Sequence, residues 1–534
     1  MAKPEVLETG NEPRPTVQLP RLPSRTTLPT DIWLYIATRF IPSKTLCDLY
    51  SVNSLFLDLA LNERYKVVSF LEVDQKTAPF LEHLRDANLS SRVRRLRVNP
   101  VWFTLDPHPR PKISLRTIIS CAPSFGLGRW ADVTRKDTED LKKRKYIDTL
   151  SADLVLQFTN VTSFVLVTRY WPHPRSLALF LTNSWRAFGL NLRRLTINAP
   201  LNGFAALLPP PSELVALEEL TLRFSTDLTT DDRAVDTRIL TEIISPFLRE
   251  VSPKLKTFSL MSSALGDHSV LFNSLDYTPC LTTLSLNIGF YPPLLQHTSG
   301  LTNFVNRNAE TLKHVMLQPL ETFRSPSVGG SAYSYFAGWM TENASNDSFL
   351  SNIQTLVVLP STDSSTRLDA MMTCIPRSKD TLMNLILGER CMSFAELNTL
   401  VANFSHRPGD QGLKILHVQL ISLNPQVFDL LAEKLIGLED LDVKFNLLLP
   451  DVRDESPRPL ADEEPTEEVI AEFLGEMAKR SYSKWRLYSL WIWQRSHMTT
   501  KTAHEILAAL KPSIPSVRVM DRMDHTHHLH TLFS

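Results

Sequence analysis

A spaced pattern of apolar positions returns along the chain from its first hundred residues almost to its end. In each copy, a second apolar residue follows the first after two intervening residues, and a third follows after one more. The copies are VRRLRV from Val93, VTSFVL from Val161, LRRLTI from Leu192, LEELTL from Leu217, LKTFSL from Leu255, LTTLSL from Leu281, LKHVML from Leu312, IQTLVV from Ile353, LMNLIL from Leu382, LKILHV from Leu413, LEDLDV from Leu438 and LYSLWI from Leu487.

Each copy predicts a short β-strand with two different faces. Successive side chains of a strand alternate in direction, so the last two apolar residues of a copy point to one face and the residue between them points to the other. Patterns of helical period lie between the copies, at 425–438 and at 466–480, where Thr466 is placed to cap a helix. Alternating strands and helices predict an α/β fold.

Two α/β architectures fit this alternation, a doubly wound sheet and a stack of repeats. No glycine fingerprint follows a strand and the chain has only 16 glycines, which disfavours a doubly wound dinucleotide-binding sheet. From Val161 to Leu438 the copies start 25 to 41 residues apart, and most of these intervals exceed the ~20 to 29 residues of leucine-rich repeats. Inserted loops account for the longer intervals, so the sequence favours the stack.

Residues 90–495 resemble the leucine-rich-repeat family. The resemblance implies a solenoid with a parallel strand on the concave side and helices on the convex side of each repeat, stabilised by stacking on neighbouring repeats. We expect the solenoid over residues 71–515, with insertions at about 99–160 and 320–350. A C-terminal strand, SVRVMD, and a histidine-containing tail would occupy 516–534.

The stretch from residue 28 to 60 lacks the repeated strand pattern and predicts three short helices. Thr30 is placed to cap the first helix, and Asp31 is favourable in its first turn. Ile32, Ile36 and Phe40 recur every four residues, and Trp33 and Ala37 lie alongside them, so the five residues form one broad apolar stripe. Three helices of this length are too small to fold alone. They either bind a partner or form the N-terminal cap of the solenoid, and the two roles are compatible.

This unit, at 27–70, is similar to the F-box family. The resemblance rests on a Leu-Pro start, an Ile-Trp helix and a Leu-x-x-Leu-x-x-Val helix, made here by Leu28, Pro29, Ile32, Trp33, Leu46, Leu49 and Val52. In that family the unit binds the adaptor protein of a cullin ligase. The resemblance therefore implies an adaptor-binding surface of Leu28, Pro29, Ile32, Ile36, Leu46, Leu49 and Val52.

An F-box followed by repeats is the arrangement of substrate-recognition subunits of cullin-RING (SCF-type) ubiquitin ligases. The resemblance implies a non-catalytic protein whose F-box binds the cullin adaptor and whose repeats bind a protein substrate. The alternative is a leucine-rich-repeat scaffold or inhibitor protein without ligase association. The sequence does not name the substrate or fix the oligomeric state.

Substrate contacts are expected at the strand positions that point away from the core. The candidates are Arg223, Asn287, His417, Gln419, Asp442, Lys444, Trp491 and Trp493. Trp491 and Trp493 would form a binding hot spot if they were exposed. Alternatively, the strand at 516–521 covers them, because exposed apolar patches are uncommon.

Composition narrows the function further. Lys plus Arg and Asp plus Glu are both 57, so no global field attracts nucleic acid or anionic lipid, and a partner must be recognised locally. Five cysteines without a CxxC pair argue against a disulfide framework. The proline-rich residues 1–26 predict a flexible tail without a secretory signal. We therefore expect an intracellular protein, in the cytoplasm or the nucleus, without a membrane span.

Signals for chemistry are weak throughout the chain. No GxSxG or P-loop motif is present. His525, His527, His528 and His530 could bind a metal, but a polar tail is the simpler interpretation, and the basic runs at 91–98 and 140–146 are typical of solvated surfaces. We assign no catalytic, cofactor-binding or metal-binding residue, expect no cofactor and no nucleic-acid partner, and predict that the protein is not an enzyme.

Overall fold

The chain divides into two compact units, Met1–Tyr65 and Lys66–Ser534, in a computed structural model. The structure describes residues 29–71, 73–74, 76–99, 142–168, 175–225, 232–292, 294–320, 332–359, 368–404, 412–449, 465–494, 505–508 and 510–518. The predicted tail at 1–26, Leu28 and the histidine cluster at 524–530 lie outside these residues. The predicted boundary fell after residue 70, whereas the division falls after Tyr65.

The first unit contains three helices, α1 (Thr30–Phe40), α2 (Ser43–Asp48) and α3 (Ser54–Tyr65). The expectation that Thr30 caps α1 is wrong, because Pro29 is the N-cap residue and Thr30 already belongs to the helix. Asn53 marks the start of α3, where its Oδ1 atom accepts a hydrogen bond from the Phe56 amide at 2.9 Å. These caps and turns fold some 33 residues into one small helical unit.

A small core holds the three helices together. Ala37, Leu46 and Phe56 are buried at its centre, and Trp33, Ile41, Leu49 and Leu59 pack against them. The rings of Trp33 and Phe56 meet edge to face with centroids 5.7 Å apart, a favourable aromatic geometry. Each of the three helices contributes at least one residue to this core.

Within the described residues, the second unit is built on a sheet of 13 strands in strict sequence order. Every neighbouring pair is parallel. The strands are β1 (Val67–Phe70), β2 (Arg95–Val98), β3 (Ser163–Val167), β4 (Arg194–Pro200), β5 (Glu219–Ser225), β6 (Thr257–Ser262), β7 (Thr283–Ile288), β8 (His314–Pro319), β9 (Thr355–Val358), β10 (Asn384–Met392), β11 (Ile415–Leu423), β12 (Asp440–Leu448) and β13 (Ser489–Gln494).

The twelve predicted strands are confirmed, since β2–β13 each begin two residues after the first apolar residue of a copy. β1 was missed although Tyr65, Val68 and Phe70 have the same spacing, because these residues had been placed in the helical unit. The sequential order excludes a doubly wound sheet, in which the strand order reverses. The α/β architecture is compatible with the predicted repeat solenoid.

Helices connect the strands. Besides α1–α3 and the helical residues 142–154, the α-helices are Thr77–His83, Ala87–Ser90, Arg175–Phe188, Phe204–Leu207, Arg233–Ile239, Ser245–Val251, Ser269–Ser274, Ser299–Arg307, Ala332–Asn343, Leu368–Ser378, Phe394–Ala402, Pro425–Lys434 and Glu467–Ala478. A π-helical segment, Leu240–Ile244, joins two of them. Short 3-10 turns occur at Val155–Gln157, Gly189–Asn191, Leu201–Gly203, Pro211–Glu213 and Ser252–Lys254.

Two helices were predicted in detail. The first runs over Pro425–Lys434, four residues shorter at its C-terminal end than the pattern at 425–438. The second runs over Glu467–Ala478. The Thr466 hydroxyl caps it as predicted, because it accepts a hydrogen bond from the Val469 backbone N–H. The expected insertion at 320–350 contains the helix Ala332–Asn343, whose Trp339 is buried and donates a hydrogen bond to Thr302 at 2.9 Å.

A backbone ladder joins consecutive repeats at the start of each strand. One residue of each repeat donates its amide N–H to the carbonyl oxygen of the equivalent residue in the preceding repeat, at 2.7 to 3.0 Å. The donors, beginning with the bond to Lys66, are Arg94, Thr162, Arg193, Glu218, Lys256, Thr282, Lys313, Gln354, Met383, Lys414, Glu439, Tyr488 and Arg518. The bond from Arg518 continues the ladder one repeat beyond β13, where the sequence predicts a C-terminal strand.

The core of the second unit lies between the helices and one face of the sheet. The strands contribute the last two apolar positions of each copy to this core. Examples are Leu195 and Ile197 in β4 and Leu284 and Leu286 in β7, and these four residues are at most 1% exposed. Among the described residues, no helix has the length and apolar character needed to cross a membrane.

Candidate protein-binding surfaces

The helical unit leaves several large apolar side chains exposed. Phe40 is 69% exposed, Tyr50 59%, Val52 58% and Ile32 42%. Only part of the predicted stripe enters the core of the unit. Ala37 is buried there and Trp33 packs against it, whereas Ile32 and Phe40 remain exposed on the flank of the helix. Exposed apolar side chains on so small a unit are typical of a binding surface.

The seven predicted adaptor-binding residues occupy three environments. Pro29, Ile32 and Val52 are exposed, and Ile36 and Leu49 are half-buried. Leu46 is 5% exposed in the centre of the core, so it supports the helices instead of facing a partner. Leu28 lies outside the described residues.

The second unit has a candidate surface on the sheet face away from the core, here called the second face. It consists of the strand residues that alternate with the core positions. The register aligns them in rows across the strands, and the central row passes through Arg97, Val165, Thr196, Thr221, Ser259, Ser285, Met316, Val357, Ile386, His417, Asp442 and Trp491.

From β2 to β8 the second face is accessible and mostly polar. Arg97 and Arg223 are exposed, and the hydroxyl side chains of the central row are half-exposed. Asn287, one of the predicted substrate contacts, is half-buried and donates a hydrogen bond to Gln318 at 3.0 Å. Arg194 and Glu219 form an ion pair at 3.0 Å. We call this region the open half of the second face.

From β9 to β13 the second face is largely buried, and we call this region the closed half. Val357 and Ile386, on the central row, are 0% and 2% exposed. Of the predicted substrate contacts, Gln419, Asp442 and Trp491 are 3%, 4% and 8% exposed. The burial of Gln419 and Asp442 differs from the accessible position expected of them, whereas the burial of Trp491 agrees with the alternative that the tryptophans are covered.

Internal contacts engage several residues of the closed half. The Trp491 indole donates to the Ser489 hydroxyl at 2.7 Å, and the Gln419 amide donates to the Cys391 sulfur at 3.1 Å. Lys444 and Trp493, the remaining predicted contacts on β12 and β13, are half-buried. The structure therefore brings only Arg223 and Asn287, of the eight predicted substrate contacts, to the open half.

Two histidines lie on this face in different surroundings. His417 Nε2 is 3.6 Å from Asp440 and its Nδ1 is 3.9 Å from Asp442, so both carboxylates lie close to the ring. His314 Nδ1 lies 3.0 Å from the Thr355 hydroxyl. Partial burial, and secondarily the charge of Lys313, lowers the pKa of His314, which therefore favours the neutral imidazole.

Sequence reasoning missed Arg97 as a candidate contact. It stands between Leu96 and Val98 in the copy VRRLRV, so its outward position follows from the same alternation that indicated Arg223. Sequence reasoning also missed the closed half, although Val357 and Ile386 are apolar residues between two apolar neighbours. A strand that is apolar at every position is typical of burial on both faces.

The described side chains offer binding surfaces and no metal centre. Within the described ranges, no group of three His, Cys, Asp or Glu side chains is placed to hold a metal ion. The chemistry available on the open half is mainly that of guanidinium, hydroxyl and amide groups, beside the Glu219 carboxylate, which pairs with Arg194, and the His314 imidazole. These groups recognise a partner by charge and hydrogen bonding.

Comparison with known proteins assigns no family to this chain. No family model matches the chain, and no curated protein matches it. Among solved structures, it is similar to a chain of the crystal structure of the Rad7 and Elc1 complex in yeast, with 15% sequence identity. The match covers 76% of this chain and 94% of that chain, with a TM-score of 0.34. A TM-score this low carries no argument about function.

Proposed function

We propose that this protein is a non-catalytic substrate-recognition subunit of a cullin-RING (SCF-type) ubiquitin ligase, acting inside the cell. In this proposal the helical unit binds the cullin adaptor and the sheet unit binds a protein substrate. The exposed apolar surface of the helical unit carries the proposal, because Pro29, Ile32 and Val52 remain accessible where the F-box resemblance puts adaptor contacts.

Burial of these side chains supplies the driving force for binding. Removing apolar area from water contributes about 25 cal/mol per Å². In most interfaces a few buried anchors contribute the largest share of the affinity. Leu46 and Leu49 contribute indirectly, because they pack in or against the core that holds α1 and α2 in place.

The test is co-purification of the full chain with the cullin adaptor of its own organism. We expect a stoichiometric complex with the wild type and a loss of about tenfold or more in affinity for Ile32→Ala/Val52→Ala. A matched control is Leu34→Ala/Leu57→Ala, which removes side chains that are 44% and 42% exposed on the same unit but outside the predicted set.

The outcomes separate the proposal from its alternative. Loss of binding in the first variant alone supports the adaptor surface, provided that circular dichroism shows both variants folded. If the wild type forms no complex, the ligase role fails, and the protein is better described as a repeat scaffold or inhibitor whose helices cap the sheet unit.

A further inference from the structure

Charge is unevenly distributed over the second face. In the open half, from β2 to β8, the arginines are Arg95, Arg97, Arg194 and Arg223, and the acidic residues comprise Glu219 alone. Four positive charges and one negative charge leave a net charge of +3, in a chain whose 57 basic and 57 acidic residues balance. The accessible half of the sheet is therefore cationic on a neutral protein.

Arg97 and Arg223 have no partner within the described part of the chain. Both are exposed, and neither forms an ion pair or a side-chain hydrogen bond there. The one carboxylate of the open half is engaged, because Glu219 pairs with Arg194 at 3.0 Å. His314, in the same half, favours the neutral form because burial lowers its pKa. Two guanidinium groups are thus available for an anionic ligand.

The register gives the spacing of these two groups. Arg97 is level with Thr221, three strands away, and Arg223 lies two residues further along β5. With strands about 4.8 Å apart and about 3.3 Å of rise per residue, the two Cα atoms are about 16 Å apart. Groups this far apart do not converge on a single phosphate. They match two carboxylates four or six residues apart on an extended chain, because side chains an even number of positions apart face the same side.

The surface between the two arginines suits the backbone of such a chain. Thr196, Asn198 and Thr221 are half-exposed there, and in the described structure their side chains make no hydrogen bond. Hydroxyl and amide groups can donate to peptide carbonyls and accept from peptide N–H groups. Val165 adds a half-exposed apolar contact beside Arg97.

We propose that the open half binds an acidic, extended segment of a substrate protein, with two Asp or Glu residues four or six positions apart pairing with Arg97 and Arg223. This assignment of a substrate class rests on the proposed function. It places recognition on β2–β5, away from the closed half that holds most of the residues expected from sequence.

The experiment is selection from a displayed library of random peptides about twelve residues long on the immobilised full chain. We expect the retained pool to be enriched by about tenfold or more in Asp or Glu pairs four to six positions apart. Selection on Arg97→Gln/Arg223→Gln should lose this enrichment. The matched control is Arg186→Gln/Arg249→Gln, which removes two exposed arginines from helices and should keep it.

Three results would overturn the inference: a retained pool without acidic pairs, the same acidic pool on the Arg97→Gln/Arg223→Gln variant, or no retained peptide. The selection needs no adaptor, so its failure is distinguishable from failure of the ligase role. Arg97→Gln/Arg223→Gln should still co-purify with the adaptor, because neither residue belongs to the helical unit. If the selection retains acidic peptides but the wild type forms no complex with the adaptor, the binding site is supported and the ligase role is rejected.

Discussion

The open and closed halves of the second face are built on the same strand pattern, yet they differ in exposure and chemistry. The central row carries half-exposed Thr196, Thr221 and Ser285 in one half, and buried Val357 and Ile386 in the other. The helix-facing side of the sheet is apolar in both halves. An apolar residue between the last two apolar positions therefore accompanies burial of the second face, although polar Asp442 is also buried in the closed half.

The largest expected effect is on the closed half. We predict that Trp491→Ala lowers the free energy of unfolding by about 3 to 5 kcal/mol, because it removes a buried aromatic side chain and leaves a cavity. Urea-induced unfolding followed by circular dichroism measures the change. A loss below about 1 kcal/mol would show that this half is not tightly packed.

A pair of substitutions on the central row compares the halves directly. We expect Ile386→Ala to cost about 2 to 5 kcal/mol, since the side chain is buried. Thr221→Ala, at the corresponding position of the open half, should stay within about 0.5 kcal/mol, as substitutions at accessible positions usually do. The same urea measurement serves both variants. Equal losses would contradict the division into two halves.

Stability of the repeats around the open half should depend on pH through His268. Its ring is fully buried, with Nδ1 3.0 Å from the Leu294 carbonyl oxygen and Nε2 2.6 Å from the Ser262 hydroxyl. Burial lowers its pKa below the ordinary value of 6.5, against smaller opposing effects of the hydrogen bond to the Leu294 carbonyl and of the charge of Asp267. Because the folded pKa is depressed, the stabilisation is present above pH 6.5 and is lost as the pH falls through the folded value.

The measurement compares unfolding free energies across this pH range. His268→Gln should be less stable at neutral pH and should show a flatter decrease between pH 6.5 and lower pH. The control is His297→Gln, at an exposed histidine, which should keep the wild-type slope. An unchanged slope in His268→Gln would assign the acid sensitivity to other groups.

The smallest expected effect is on the stability of the open half. We predict that Arg97→Gln/Arg223→Gln changes the free energy of unfolding by no more than about 0.5 kcal/mol, because both side chains are exposed and unpaired among the described residues. Thermal or urea unfolding checks this. A large loss would mean that these residues serve the fold, which would weaken their assignment to binding.

Much of the fold was predictable, because strand positions depend on a local pattern. The spacing in LRRLTI or LTTLSL defines which residues enter the core, and β4 and β7 follow it. In the closed half, cover was predicted only over Trp491 and Trp493, as one of two alternatives. Burial of the remaining strands was not predicted, because it depends on what packs over a strand as well as on the strand itself. The local sequence pattern that indicates this burial is the presence of apolar Val357 and Ile386 between apolar neighbours.

The helical unit shows the same division between local and nonlocal information. The breaks between helices at Pro42 and Asn53 were predictable from local chemistry. The inward side of α1 was not, because both Ile32 and Trp33 belong to an apolar stripe, and the packing of Phe56 against Trp33 decides between them. Leu46 was predicted as an adaptor contact although it lies in the core, because the sequence alone does not distinguish an apolar residue of a core from one of an interface.

The backbone ladder has a consequence for how this protein can change over evolutionary time. Its donors include arginine, threonine, glutamate, methionine and tyrosine, because the bond uses only the main chain. Any substitution other than proline keeps the backbone N–H and C=O groups that form this joint between repeats. Neighbouring repeats can therefore drift apart in sequence, and the outward residues beside them can be selected for new partners, without changing the spacing of the strands that present them.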